Sequence, residues 1–171
     1  MARRQGRVFG YPTEYCYGLG CDPRDRRAVR RILQIKQRPQ HKGVIVIGSD
    51  VRQFRGLVDA TALAAAAASD WWPGPNTLLL PVGPRCPPWL RGRHQTLAVR
   101  LTAHADARKA CRFSRSALVS TSANRAGQHP VRHARELARR FGRRLIRLPG
   151  RIGRASRPSR IIDWSTGRVL R

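Results

Sequence analysis

Short apolar runs alternate along this chain with stretches of helical periodicity, and that alternation narrows the possible folds more than any other feature. Residues 7–11, 44–47, 77–82, 96–101, 117–120, 144–148, 160–163 and 168–170 read as strands, and 25–37, 51–68, 104–113 and 132–142 as helices. In 25–37, Ala28, Val29, Ile32, Leu33 and Ile35 recur at helical spacing, with Arg26, Arg27, Arg30, Arg31 and Gln34 opposite them. Asp22 or Asp25 can cap that helix, and Pro39 marks its end. The run VIVI at 44–47 is unbroken, as expected of a strand covered on both faces. The alternation predicts an α/β domain, with helices packed on a largely parallel or mixed sheet. No repeat or linker divides residues 1–171, so one domain is expected, with 149–160 (PGRIGRASRPSR) as a mobile loop.

Charge limits the partners. Thirty-five Lys and Arg face 9 Asp and Glu, a net charge of +26 over 171 residues. Such a surface attracts polyanions such as nucleotides, tRNA or double-stranded RNA. Only Lys36, Lys42 and Lys109 are lysines, so a coding bias toward arginine also accounts for part of the excess. Cysteines 16, 21, 86 and 111 form no CxxC pair and follow no apolar leader, so inert or core thiols are expected, not a disulfide framework. No apolar run approaches the roughly 20 residues of a membrane helix. The cytoplasm is the expected location.

Three segments carry candidate chemistry. In Lys36-Gln37-Arg38-Pro39, proline favours an extended Arg38, which would point Lys36 and Arg38 the same way to hold a triphosphate. Both charges also suit an ordinary helix C-terminus. Ser120-Thr121-Ser122-Ala123-Asn124 follows the apolar strand at 117–119. Ligands in open α/β sheets bind beyond strand ends. The same residue types also make ordinary turns. In the third segment, Pro12-Thr13-Glu14 precedes Gly18 and Gly20, a glycine loop able to approach phosphate closely or simply to turn tightly. His129 and His133 are four apart but have no Glu or Cys nearby, so they read as surface residues and no metal ligands are assigned. Trp71 and Trp72 read as core.

Together the stretches YPTEYCYGLGCDP (11–23), LQIKQRPQHKGVIVI (33–47), WPGPNTLLLP (72–81), TLAVRLTAH (96–104), VSTSANRAG (119–127) and PSRIID (158–163) resemble the YrdC-like family of threonylcarbamoyl-AMP synthases, in family order. The resemblance implies a twisted open mixed sheet with flanking helices around a basic cavity. It implies that L-threonine, bicarbonate and ATP, with Mg2+, give threonylcarbamoyl-AMP and pyrophosphate. A separate threonylcarbamoyl-transferase complex would then modify tRNA. By the same resemblance Lys36, Arg38, Ser122 and Asn124 are ATP-binding and catalytic-pocket residues. Thr96 is a nucleotide contact, and Thr13, Arg100 and the backbone at Ser120 contact threonine. The carbamate would attack the α-phosphorus while cations stabilise the phosphoryl charge, which needs no side-chain nucleophile.

Two departures carry expectations. Residues 1–6 cannot form the apolar face of the helix that precedes the first strand in the family. An uncovered apolar patch near 7–11 is therefore expected, either because Met1 is not the true start or because the protein leans on ligands. Gly153-Arg154-Ala155 replaces the family's GGR-like loop, which bears on closure over ATP. The alternative function is a non-catalytic RNA-binding protein acting in ribosome or rRNA maturation.

Overall fold

The computed structural model describes residues 6–171, so the reading of residues 1–5 lies outside it. Its elements run β1 (Phe9–Pro12), β2 (Tyr17–Cys21), α1 (Arg26–Lys36), β3 (Ile45–Gly48), α2 (Ala60–Ala67), β4 (Asn76–Pro81), α3 (Pro88–Arg91), β5 (Thr96–Leu101), α4 (Ala105–Ser114), β6 (Leu118–Ser122), α5 (Ala134–Phe141), β7 (Ile146–Arg147) and β8 (Arg160–Asp163). Among the described residues eight strands form one open sheet, in the order β7-β1-β2-β6-β3-β5-β4-β8. The sheet is mixed. Strand β3 runs parallel to β5 and antiparallel to β6, and β4 runs parallel to β8 and antiparallel to β5.

Side-chain alternation divides the sheet into two faces. Leu19, Val46, Leu78, Leu97, Val99, Val119 and Ile162 point to one face, where α1, α2 and α5 cover them in a continuous core. On α1 the covering residues are Ala28, Val29, Ile32 and Leu33, as the helical spacing predicts. The other face is covered only in part. There α4 packs Ala107, Ala110 and Cys111 on Phe9, Tyr11, Ile47 and Leu118. Beyond α4 the same strands carry Ser120, Ser122, Thr96, Ala98 and Arg100, and these face a cavity.

Several sequence expectations change. The glycine loop contains a strand, β2, paired residue by residue with β1. Glycine is needed in it, because a Cβ at Gly20 would lie 2.7 Å from Cε1 of Tyr11. The helix expected over 51–68 is a single 3-10 turn at Val51–Phe54 followed by α2. Gly56, at φ 79°, breaks the path, and Asp59 caps α2 through its bond from the Ala62 N–H at 2.9 Å. The strand expected at 168–170 reduces to one bridge between Val169 and Ile162.

The uncovered patch expected at 7–11 is not there. Val8, Phe9 and Tyr11 are all buried. Tyr11 and Phe9 lie under α4, and Gly10 lies against Leu137 of α5 and Leu145. The apolar surface left nearby belongs to Phe113, which packs edge-on against Phe9, and to Ile146, the β7 partner of Phe9. Trp72 is core, stacked near Phe54 with its indole N–H on the Asn76 carbonyl at 3.0 Å. All four thiols are free; Cys16, Cys21 and Cys111 are buried and Cys86 is half-buried. No described helix is long and apolar enough to cross a membrane.

Candidate active site

The cavity has a volume of about 560 Å³, within the usual range of ligand pockets. Its wall includes Thr13, Lys36, Arg38, Thr96, Arg100, Ser120, Ser122 and Asn124, so all eight sequence candidates meet in one place. It lies over the face of the sheet, not beyond the carboxyl ends of parallel strands. The strand-end rule does not fix the position here because the sheet is mixed and α4 leaves part of one face open. Lys42, Arg91, Arg157 and Arg171 also line it, against a single carboxylate, Glu14.

Lys36 is the last residue of α1 and is buried. Its Nζ donates to Ser122 O at 2.6 Å, Asn124 O at 2.9 Å and Asn124 Oδ1 at 3.1 Å. An ammonium has three N–H donors, so all are engaged, and a phosphate oxygen would have to displace one acceptor. Burial, and then the charge of Arg38, lower its pKa to about 8. The Lys36–Arg38 convergence has a different cause from the extended chain read in the sequence. Gln37 is left-handed at φ 53°, ψ 42°. The Arg38 N–H reaches back to Leu33 O at 2.9 Å, closing a Schellman-type helix end. The turn, not an extended segment, brings both side chains to the cavity. Arg38 is held by Gly43 O at 3.2 and 3.3 Å, and burial lowers its pKa.

The second segment is also built otherwise than expected. Residues 120–122 belong to β6, and only Ala123 and Asn124 turn away from it. Ser122 Oγ donates to Asn124 Oδ1 at 2.5 Å, and Asn124 Nδ2 donates to Arg125 O and Gln128 O. Lys36, Ser122 and Asn124 thus form one hydrogen-bonded cluster, in which the lysine ties the end of α1 to the end of β6. Ser120 Oγ accepts the Tyr11 hydroxyl at 2.8 Å. Burial raises the Tyr11 pKa, so the phenol stays a donor.

Thr13 N–H and Oγ1 both bond Cys16 O, at 3.0 and 2.8 Å, a tight turn that joins β1 to β2. Burial raises the Cys16 thiol to about 11, consistent with an inert neutral thiol. Arg100 is buried on β5, with Nη2 3.3 Å from Glu14 Oε2. The segment after β7 crosses this turn. Its Gly153 N–H donates to Thr13 O at 2.9 Å and its Ala155 N–H to Glu14 O at 3.1 Å.

Sequence reasoning placed Glu14 in a candidate segment without giving it a role, and it missed Lys42, Ala98, Arg157, Ser159 and Arg171 as cavity residues. For Ala98 alternation within 96–101 was the available signal. Thr96, Ala98 and Arg100 share a face that Leu97 and Val99 do not. For Arg171 no signal existed in a chain so rich in arginine. Its side chain holds Ser159 O at 3.2 Å.

The fold and the site define an α/β protein with an open-faced sheet and a cavity whose wall carries seven Lys and Arg side chains against one carboxylate, suited to an anionic ligand. The family model Sua5_yciO_yrdC, described as "Telomere recombination", matches residues 1–171. The chain belongs to this Sua5/YciO/YrdC family. It is 54% identical over 169 residues to a threonylcarbamoyl-AMP synthase of Chromobacterium violaceum, covering 98% of this chain and 88% of that one. It is 51% identical to one of Methylobacillus flagellatus, covering 98% and 94%. The crystal structure of P. abyssi Sua5 complexed with L-threonine superposes with a TM-score of 0.86 at 32% identity, covering 97% of this chain. This chain spans 50% of that longer protein.

Proposed function

We infer that this chain is a threonylcarbamoyl-AMP synthase, a nucleotidyltransferase that uses ATP. The observation that carries this is the convergence of Lys36, Arg38, Ser122 and Asn124 with Arg100 in one cavity, in a chain about half identical to proteins of that name. L-threonine and bicarbonate form the carbamate. Its oxygen attacks the α-phosphorus, the bond to the β-phosphate oxygen breaks, and pyrophosphate leaves. Lys36 and Arg38 stabilise the phosphoryl charge, and the Ser122–Asn124 turn and Thr96 position the nucleotide. Arg100 takes the threonine carboxylate as a planar fork, and Thr13 and Ser120 orient its polar groups.

The described residues hold no group of three or more His, Cys, Asp or Glu side chains able to cage a metal. The cavity's one carboxylate is already engaged with Arg100. The chain's own residues therefore do not fit a resident Mg2+, and the ion enters as the phosphate-bound partner of ATP. Residues 149–160 serve as the mobile element that closes over the nucleotide, its fixed end being the bonds from Gly153 and Ala155 to the 13–14 turn.

Purified protein should release pyrophosphate from ATP only when threonine and bicarbonate are both present. Release without threonine, or none at all, would refute the reading. The product passes to a separate threonylcarbamoyl-transferase complex acting on tRNA. The basic surface binds tRNA or double-stranded RNA with little sequence preference. That affinity should fall steeply with salt, because each neutralised phosphate releases a counterion. Binding indifferent to salt would assign the arginine excess to composition alone.

A further inference from the structure

The pair formed by Glu14 and Arg100 is the cavity's least satisfied polar contact. Both side chains are largely buried, Arg100 at 8% exposure and Glu14 at 19%. Their charged atoms lie 3.3 Å apart, yet out of hydrogen-bond alignment. Arg100 Nε and Glu14 Oε2 are both buried without a hydrogen-bond partner in the protein. An unpaired buried donor is costly, so such a geometry persists only where the surroundings impose it. What imposes it is visible at the other carboxylate oxygen. Glu14 Oε1 accepts the Thr102 hydroxyl at 3.1 Å, and that hydroxyl accepts the His104 N–H at 3.2 Å. The backbone of Glu14 is held from the opposite side by Ala155. Glu14 is therefore fixed by the end of β5 and by the segment 150–155, while its second oxygen rests against the guanidinium.

We propose that Glu14 is a positioning residue that braces Arg100 through Nη2 and so fixes the plane and direction in which the guanidinium meets the amino acid's carboxylate. This rests on the reading that Arg100 takes that carboxylate. Guanidinium binds carboxylate well only when its fork is aimed, because two parallel N–H bonds must form together. Arginine has several rotatable bonds, and a fixed anion behind it removes that freedom before substrate arrives. The carboxylate also offsets the desolvation of a buried cation while the cavity is empty of substrate. Since Glu14 O bonds Ala155, the same residue links the threonine side of the cavity to the segment that crosses it.

The test is steady-state kinetics on Glu14→Gln, which keeps the shape and the acceptor for Thr102 and removes the charge. The threonine KM should rise about tenfold, the scale of a misaligned charge-assisted pair. The ATP KM should stay within about twofold. Arg100→Lys should also raise the threonine KM, and the double variant should be no worse than Arg100→Lys alone, because both changes disrupt one contact. A role confined to folding would lower the melting temperature and leave the KM ratio unchanged, overturning the inference. So would additive effects. If Arg100→Lys raises the threonine KM and Glu14→Gln does not, the inference fails alone. If Arg100→Lys leaves it unchanged, the carboxylate reading fails and takes the inference with it. Should Glu14→Gln not fold, Thr102→Val removes the hold on Oε1 from outside the cavity. It should raise the threonine KM about threefold by the same logic, and an unchanged value overturns the inference.

Discussion

The two faces of this sheet are made from the same strands and do opposite work. On the covered face the inward residues of β2, β6, β3, β5 and β4 are apolar apart from Thr121 and Asn76 at strand ends, and helices bury the apolar ones together. On the other face β6 changes within five residues from Leu118 beneath α4 to Ser120 and Ser122 in the cavity. Strand β5 does likewise, with Leu97 and Val99 on one face and Thr96 and Arg100 on the other. Period-two alternation lets a single strand carry packing and chemistry without compromise between them. Stability and activity should then separate by face.

The largest effect should come from the covered side. Leu19→Ala removes a fully buried side chain and should cost roughly 2–5 kcal/mol of unfolding free energy. Urea titration would measure it, and both KM values should be unaltered wherever the protein remains folded. A shifted KM would break the division. On the cavity side, Lys36→Ala and Arg38→Ala should each lower turnover at least about tenfold, since each removes a cation from developing phosphate charge. The sequence suggested that neither lies in the core, but Lys36 is buried and ties α1 to β6. Thermal melting should therefore fall for Lys36→Ala and hold for Arg38→Ala. Equal melting temperatures would show that the tie contributes nothing.

Ser122→Ala and Asn124→Ala should weaken an ATP analogue several-fold, roughly the loss of one hydrogen bond each, and leave threonine affinity alone. Calorimetry with both ligands decides this, and unchanged ATP-analogue affinity would return the segment to an ordinary turn. The smallest effect is in pH. With a pKa lowered to about 8, Lys36 loses its charge in the free protein as pH rises through that value. The kcat/KM for ATP should fall above it, and Lys36→Arg should remove that limb. Stability should move the other way. The unfolded chain keeps this proton up to its ordinary value of 10.5, so it binds more protons between those pH values and folding is favoured as pH rises. A common direction for activity and stability would exclude Lys36 as the titrating group.

Much of this was legible beforehand, because periodicity reports burial directly. The helix at 26–36 and the strands at 96–101 and 160–163 stand within a residue or two of their expected limits. What the pattern hid depends on tertiary contact. Strand β2 reads as a loop because Gly18 and Gly20 are loop formers in isolation; the Tyr11 ring across the hairpin, with Val119 O beside Gly20 and Thr13 beside Gly18, explains them. The eight candidate residues were identified by residue type and resemblance, and they do meet. The geometry that joins Lys36 to Arg38 was misjudged, since a left-handed Gln37 has no propensity signal. Glu14 was visible in its motif, but its contact with Arg100 spans 86 residues and leaves no local trace.

Strand order has a consequence in time. Strand β2 must wait for β6 and β4 for β8, partners on the order of a hundred residues later, and such non-local pairings form slowly. The cavity wall runs from Thr13 to beyond Ser159, so no early portion of a growing chain contains it. At typical synthesis speeds of about 5–20 residues per second, the first half waits roughly ten seconds with an unfinished sheet edge. During that interval the nascent chain exposes apolar strands and has no nucleotide to steady it, so chaperone capture should peak before β6 emerges and end when β8 docks.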